Sequence, residues 1–282
     1  TTGNMTDSGT LTVAGTTTLT TSADNGTITL NNANAFTGAV SLNTTGSGAW
    51  ATLKGGAGGT TLDVAASSVG GYLQLHSLNG ITDSGTVTVG NYLLVFTYDN
   101  NGSINLDQLE VDNFVRLVTH GTGNATVVND AHLKFGSTGT IGGNLAATAT
   151  TGHISFGNNS NLTVTGTSSF TTSQTGADIT LNSANSAFTG AVSLNTTGSS
   201  GNATVVDASG LDLGASTVGG NLAATATTGN MTDSGNLAIT GTSSFTTSAN
   251  NATITLNNTN ALAGAVTITT NDDSGTDADV TL

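Results

Sequence analysis

Cysteine and proline are both missing from the 282 residues, and each absence closes a route. Without cysteine there is no disulfide staple of the kind secreted proteins commonly use. Other forces must hold the fold, or the chain must cross a membrane while unfolded. Without proline every backbone N–H can donate, as a strand paired on both sides requires. Fixed positive charge is scarce too. Lys54, Arg116 and Lys134 stand against 17 acidic residues, nearly all aspartate, for a net charge of −14. A nucleic-acid backbone needs a basic stripe to neutralise it, so nucleic-acid binding is excluded as a reading. The acidity fits solubility and self-repulsion of an exposed protein. No run is long and apolar enough to span a bilayer, and no signal-peptide pattern is present.

What remains is glycine, threonine, asparagine, serine and alanine, a mixture that in bulk reads as low complexity. Short alternating pairs argue against disorder: Leu11-Thr-Val13, Ile28-Thr-Leu30 and Leu162-Thr-Val164. Each is a half-buried strand bounded by Gly, Asn, Asp and Ser turn clusters. Whole phrases then recur. Thr1 to Gly9 (TTGNMTDSG) returns at Thr227 to Gly235, and Ala35 to Gly46 returns at Ala187 to Gly198. Gly142 to Gly152 returns at Gly219 to Gly229, and Thr165 to Ser173 at Thr240 to Ser248. The offsets are multiples of about 75 residues, the mark of a solenoid, propeller or array.

Each long unit divides into three lines of about 25 residues with three short strands apiece, as one triangular coil of a β-helix requires. Alternate residues point inward, so Leu, Val, Ile and Phe of successive coils stack into one core. The expected fold is all-β: a right-handed parallel β-helix (solenoid) of roughly eleven coils, on the order of 50 Å long at about 4.8 Å per coil. It forms a single repeat domain over residues 1–282, with diverged coils at 91–136. A sandwich has no need of near-identical phrases at fixed spacing, and a propeller blade wants a longer period with aromatic signatures.

The Leu-x-Val-x-Gly-Thr-Ser-x-Phe-x-Thr-Ser, Asn-x-Phe-Thr-Gly-Ala-Val-x-Leu and Leu-Asp-Leu-Gly-x-Ser-x-Val-Gly-Gly-Asn-Leu lines resemble the repeat shaft of filamentous-haemagglutinin-type bacterial exoproteins. That group leaves the cell by two-partner secretion and includes adhesins. The resemblance implies a right-handed parallel β-helix, export of an unfolded chain across the outer membrane, and display at the bacterial cell surface. Both Thr1 and Leu282 lie within repeats, so the stretch reads as a segment of something longer. Its uncapped coil ends expose strand edges. Expected partners are therefore other copies or further repeats joined end to end, with host or surface glycans or proteins beside them.

Candidate sites are few. The Thr-Asp-Ser-Gly aspartates Asp7, Asp83 and Asp233 open equivalent turns, which points to structure and not to paired catalytic carboxylates. His76, His120, His132 and His153 have no metal-ligand spacing. The reading is therefore a non-enzyme with no cofactor, the rival being a carbohydrate-binding or polysaccharide-cleaving extracellular β-helix. Asp272, Asp273, Asp277 and Asp279 form an acidic loop, a candidate for weak Ca2+ binding through oxygen ligands or simply a solvated loop. Tyr92, Phe96, Tyr98, Phe114 and Arg116, with Phe135, concentrate in 91–136. The favoured reading is that larger side chains fill a wider core there; the functional one is a contact patch on the shaft. Asparagines after the apolar pairs suit either axial amide ladders or left-handed turns.

Overall fold

The computed structural model describes residues 1–99, 101–271 and 278–282. The chain is an all-β parallel solenoid of about 12 turns and about 22 residues per turn. Two compact units make it up: Thr1–Leu133 with Thr140–Gly143, and Lys134–Gly139 with Asn144–Leu282.

In the first unit one wall is built by Met5–Thr6, Ile28–Leu30, Trp50–Gly55, Tyr72–Ser77, Leu93–Thr97 and Phe114–Val118, each paired in parallel with the next. Ile28, Ala51, Leu73, Leu93 and Val115 fall in register and are fully buried. Two residues further along, Leu30, Leu53, Leu75, Val95 and Leu117 make a second inward column. The intervening residues face out, because side chains alternate across a strand. A second wall runs through Thr17–Asp24, Val40–Thr45, Leu62–Val64 with Ser67–Val69, Ile81–Asp83 with Val87–Val89, Ile104–Val111 and Ala125–Asn129. Thr12–Val13 pairs with Ala35–Phe36 on a third.

The second unit repeats the plan, one wall carrying Ile154–Phe156, Ile179–Leu181, Ala203–Asp207, Leu222–Ala226, Ser243–Asn250 and Val266–Asn271. Its core holds Phe170 edge-on to both Phe135 and Phe188. A turn of about 22 residues is shorter than the expected 25, and the consequence is visible here. The long repeat of about 75 residues spans about three and a third turns. Some near-identical phrases therefore land on different walls, while Val40–Thr45 and its copy Val192–Thr197 return to the same sheet. Ser168–Thr175 pairs with Val192–Thr197 in one sheet, while its copy Ser243–Asn250 pairs with Val266–Asn271 in the other.

Side chains add a second set of bonds between coils. Asp7 accepts the backbone N–H of Asn31 (3.2 Å) and Asn32 (3.1 Å) and the Asn34 amide (2.9 Å) from the following coil. Asp233 does the same for Asn257 (2.9 Å), Asn258 (3.2 Å) and Asn260 (2.7 Å). Asp83 takes the N–H of Asp107 and Gln108. The asparagines that follow the apolar pairs are not in the left-handed conformation, and Asn34 and Asn260 donate to aspartates of the preceding coil and not to a stacked amide. The left-handed conformation falls instead at Asn25 and Asn101. Each sits at positive φ, and each Oδ1 accepts an N–H of the next coil, from Gly48 and Thr122. At these two positions the axial bonds run to backbone, whereas the Asn113 amide donates to the Asn91 amide oxygen of the preceding coil at 3.0 Å.

Candidate functional site

On the outward face of the first wall the register sets side chains in rows. Trp50 is opposite Tyr72, and Leu73 opposite Leu93 and then Val115, which aligns Tyr72, Tyr92 and Phe114 in the same row. Lys54 is opposite His76, and His76 opposite Phe96. Between these two rows run Thr52, Gln74, Leu94 and Arg116. Four residues of parallel strand at about 3.3 Å each place the outer rows about 13 Å apart.

The rings stack along their rows. Trp50 and Tyr72 lie 5.3 Å apart between centroids at 13°, and Tyr92 and Phe114 5.3 Å apart at 6°. His76 stacks on Phe96 at 5.0 Å and on Tyr98 at 5.6 Å. Near-parallel rings this far apart exceed the contact distance of about 3.5–4.0 Å. Such a separation is the offset arrangement that aromatic pairs favour. The Arg116 guanidinium carbon lies 5.2 Å from the Phe96 ring centroid, within cation–π range. A hydrogen bond joins the Tyr98 hydroxyl to His76 Nδ1.

Burial, and then the Lys54 ammonium, push the His76 pKa below its ordinary value of 6.5, so the ring is neutral at neutral pH. Burial raises the Tyr98 phenol, offset in part by Arg116, and burial raises Tyr72. Asp99 and Asp112, both exposed, sit in turns beyond the strand ends and not in the rows.

All five residues of the 91–136 patch thus reach the surface. Tyr92 and Tyr98 are exposed at 36% and 41%, and Phe96, Phe114 and Arg116 are half-buried. The wide-core account fails for them because Leu93, Val95, Val115 and Leu117 already fill that core completely. Phe135 alone behaves as that account expects, buried in the second unit against Phe156 and Phe170. Sequence reasoning missed Trp50, Lys54, Tyr72 and His76 as members of the face. The signal was there: Trp50, Tyr72, Tyr92 and Phe114 recur at steps of 22, 20 and 22 residues, one coil apiece.

Asp272, Asp273 and Asp277 lie outside the described residues. Asp279 is exposed, and its backbone carbonyl accepts the Ile254 N–H at 3.1 Å. Among the described residues no group of three His, Asp or Glu is placed to hold a metal. His153 Nδ1 accepts the Asp178 N–H at 2.8 Å. No helix among the described residues is long and apolar enough to cross a membrane.

Coils in parallel register, side-chain bonds from coil to coil and phrases repeated along the chain define a β-solenoid repeat protein. The chain belongs to the DUF5649 family, repeats of unknown function, whose model matches residues 1–43, 49–119, 122–195 and 200–269. No curated protein and no solved structure matches it.

Proposed function

We propose that this chain is part of the structural shaft of a large secreted bacterial surface protein, a stiff scaffold that serves attachment outside the cell. The observation that supports this reading is the coil-to-coil bonding within each unit. Parallel ladders join successive turns, and the Asp7 and Asp233 carboxylates tie their own coil to the next. Stability then comes from neighbouring coils, a design that lengthens by adding turns. The resemblance to filamentous-haemagglutinin-type shafts belongs to this proposal, as do export by two-partner secretion and end-to-end association with further repeats.

No catalytic step is assigned. The turn aspartates already accept backbone N–H groups, which suits anchoring better than acid–base work. The rival reading, a carbohydrate-binding β-helix, draws on the aromatic face of the first unit. Electron micrographs of the native polypeptide that carries this stretch test the shaft: an unbranched rod is expected, and a compact particle would overturn it.

A further inference from the structure

The chain has three lysines and arginines in all, and two of them, Lys54 and Arg116, stand on the aromatic face of the first wall. In a protein of net charge −14 this gathers most of the fixed positive charge beside stacked rings. At physiological salt the screening length is about 8 Å, so a ligand on this face feels Lys54 and Arg116, with Asp99 beside Tyr98 and Asp112 near Phe114 at its edges, more than the remaining aspartates.

The geometry of the face is that of a track. Successive coils rise by about 4.8 Å, close to the length of one pyranose residue in an extended chain. The row Trp50, Tyr72, Tyr92 and Phe114 therefore offers about one partly exposed ring per sugar for C–H groups to pack against. The parallel row of His76, Phe96 and Tyr98 borders the other side, and the row of Thr52, Gln74 and Leu94 between them carries no ring. Lys54 enters this track three coils before Arg116, so its positive charges are sparse and separated by several sugars. A neutral glycan has no use for them, and a nucleic acid, charged at every nucleotide, needs more of them.

We infer that this face binds a linear acidic polysaccharide in which uronate residues alternate with neutral ones, the pyranose rings tiling on Trp50, Tyr72, Tyr92 and Phe114 and a carboxylate pairing with Lys54 in one register or with Arg116 in the other, since the two stand three coils apart. The inference stands apart from the shaft reading, since a scaffold of any role can carry such a face.

Trp50 is the sole tryptophan and lies in the aromatic row, so its emission reports occupancy. The experiment titrates the 282-residue chain with hyaluronan oligosaccharides, chitin oligosaccharides and single-stranded DNA. Hyaluronan is expected to shift Trp50 emission saturably, with affinity falling as salt rises. Replacing Lys54→Gln and Arg116→Gln together should weaken it roughly tenfold or more, since charge-assisted bonds are lost. Every ring stays in place in that variant, so it should remain folded, its melting temperature lowered only by loss of the Arg116 contacts such as that with Phe96, while binding falls. Tyr92→Ala with Phe114→Ala should weaken binding as well. No response to hyaluronan would overturn the proposal. So would equal affinity for the chitin oligosaccharides or for DNA, an undiminished affinity in the charge variant, or self-association through this face that Tyr92→Ala abolishes.

Discussion

Single carboxylates carry opposite signs of pH dependence in this protein. Burial raises Asp7, but hydrogen bonds from Asn34, Asn32 and Asn31 outweigh it and leave its pKa below the ordinary 3.8. Its contribution is present above that value and lost as pH falls through the lowered folded value. Protection factors at the Asn31 and Asn32 amides, referred to the intrinsic exchange rate at each pH, should therefore fall as Asp7 takes up its proton. Asp207 is the reverse case. It is fully buried, and burial raises its pKa despite bonds from Ser209 and from the Phe188 N–H at 3.1 Å. Its folded form holds the proton more tightly, so its contribution is full below about 3.8 and lost as pH rises through the raised folded value. Asp207→Asn should flatten that part of the urea-midpoint profile. Asp207→Ala leaves the buried Phe188 N–H without its acceptor and should destabilise by about 1–3 kcal/mol. The Thr-Asp-Ser-Gly phrase was legible as a repeated turn. That its carboxylate reaches the next coil was not, because the partners lie 24 to 27 residues away.

At the level of the coil, corners decide how closely turns stack. Gly71, Gly142 and Gly219 have ordinary backbone angles, yet a Cβ at each would meet a carbonyl oxygen of the preceding coil, 2.0 Å away at Ala49, 1.7 Å at Gly121 and 1.5 Å at Gly198. Gly219→Ala should therefore destabilise by about 1–3 kcal/mol or more, through backbone overpacking, read from its chemical-denaturation midpoint. The two sides of one strand should also respond differently. Tyr92→Ala removes an outward stacked ring worth about 0.5–1.5 kcal/mol, while Leu93→Ala empties a core position at about 2–5 kcal/mol. Thermal melts of the two variants separate surface row from core. Strand identity and inward alternation were readable in pairs such as Ile28-Thr-Leu30. Which aromatics share a row was not, since that depends on turn length, and turns shorten to 20 residues between Leu73 and Leu93.

Across the molecule, each unit is held by contacts between adjacent coils, so a change in one coil should be felt chiefly by its neighbours. The solenoid class was legible because stacked coils favour like residues above like, and the recurring phrases record it. The length of a turn was harder to read. The long repeat is not a whole number of turns, so Thr165–Ser173 and its copy fall on different walls. Function is less legible still, as a shaft spends most of its residues on stacking and the family is described only as repeats of unknown function. The most direct test of the shaft account is the intact mass of the native polypeptide bearing this stretch, compared before and after protease treatment of unbroken cells. The account predicts a species many times 27.5 kDa that external protease removes. A species near that mass, or one that protease reaches only after lysis, would contradict it.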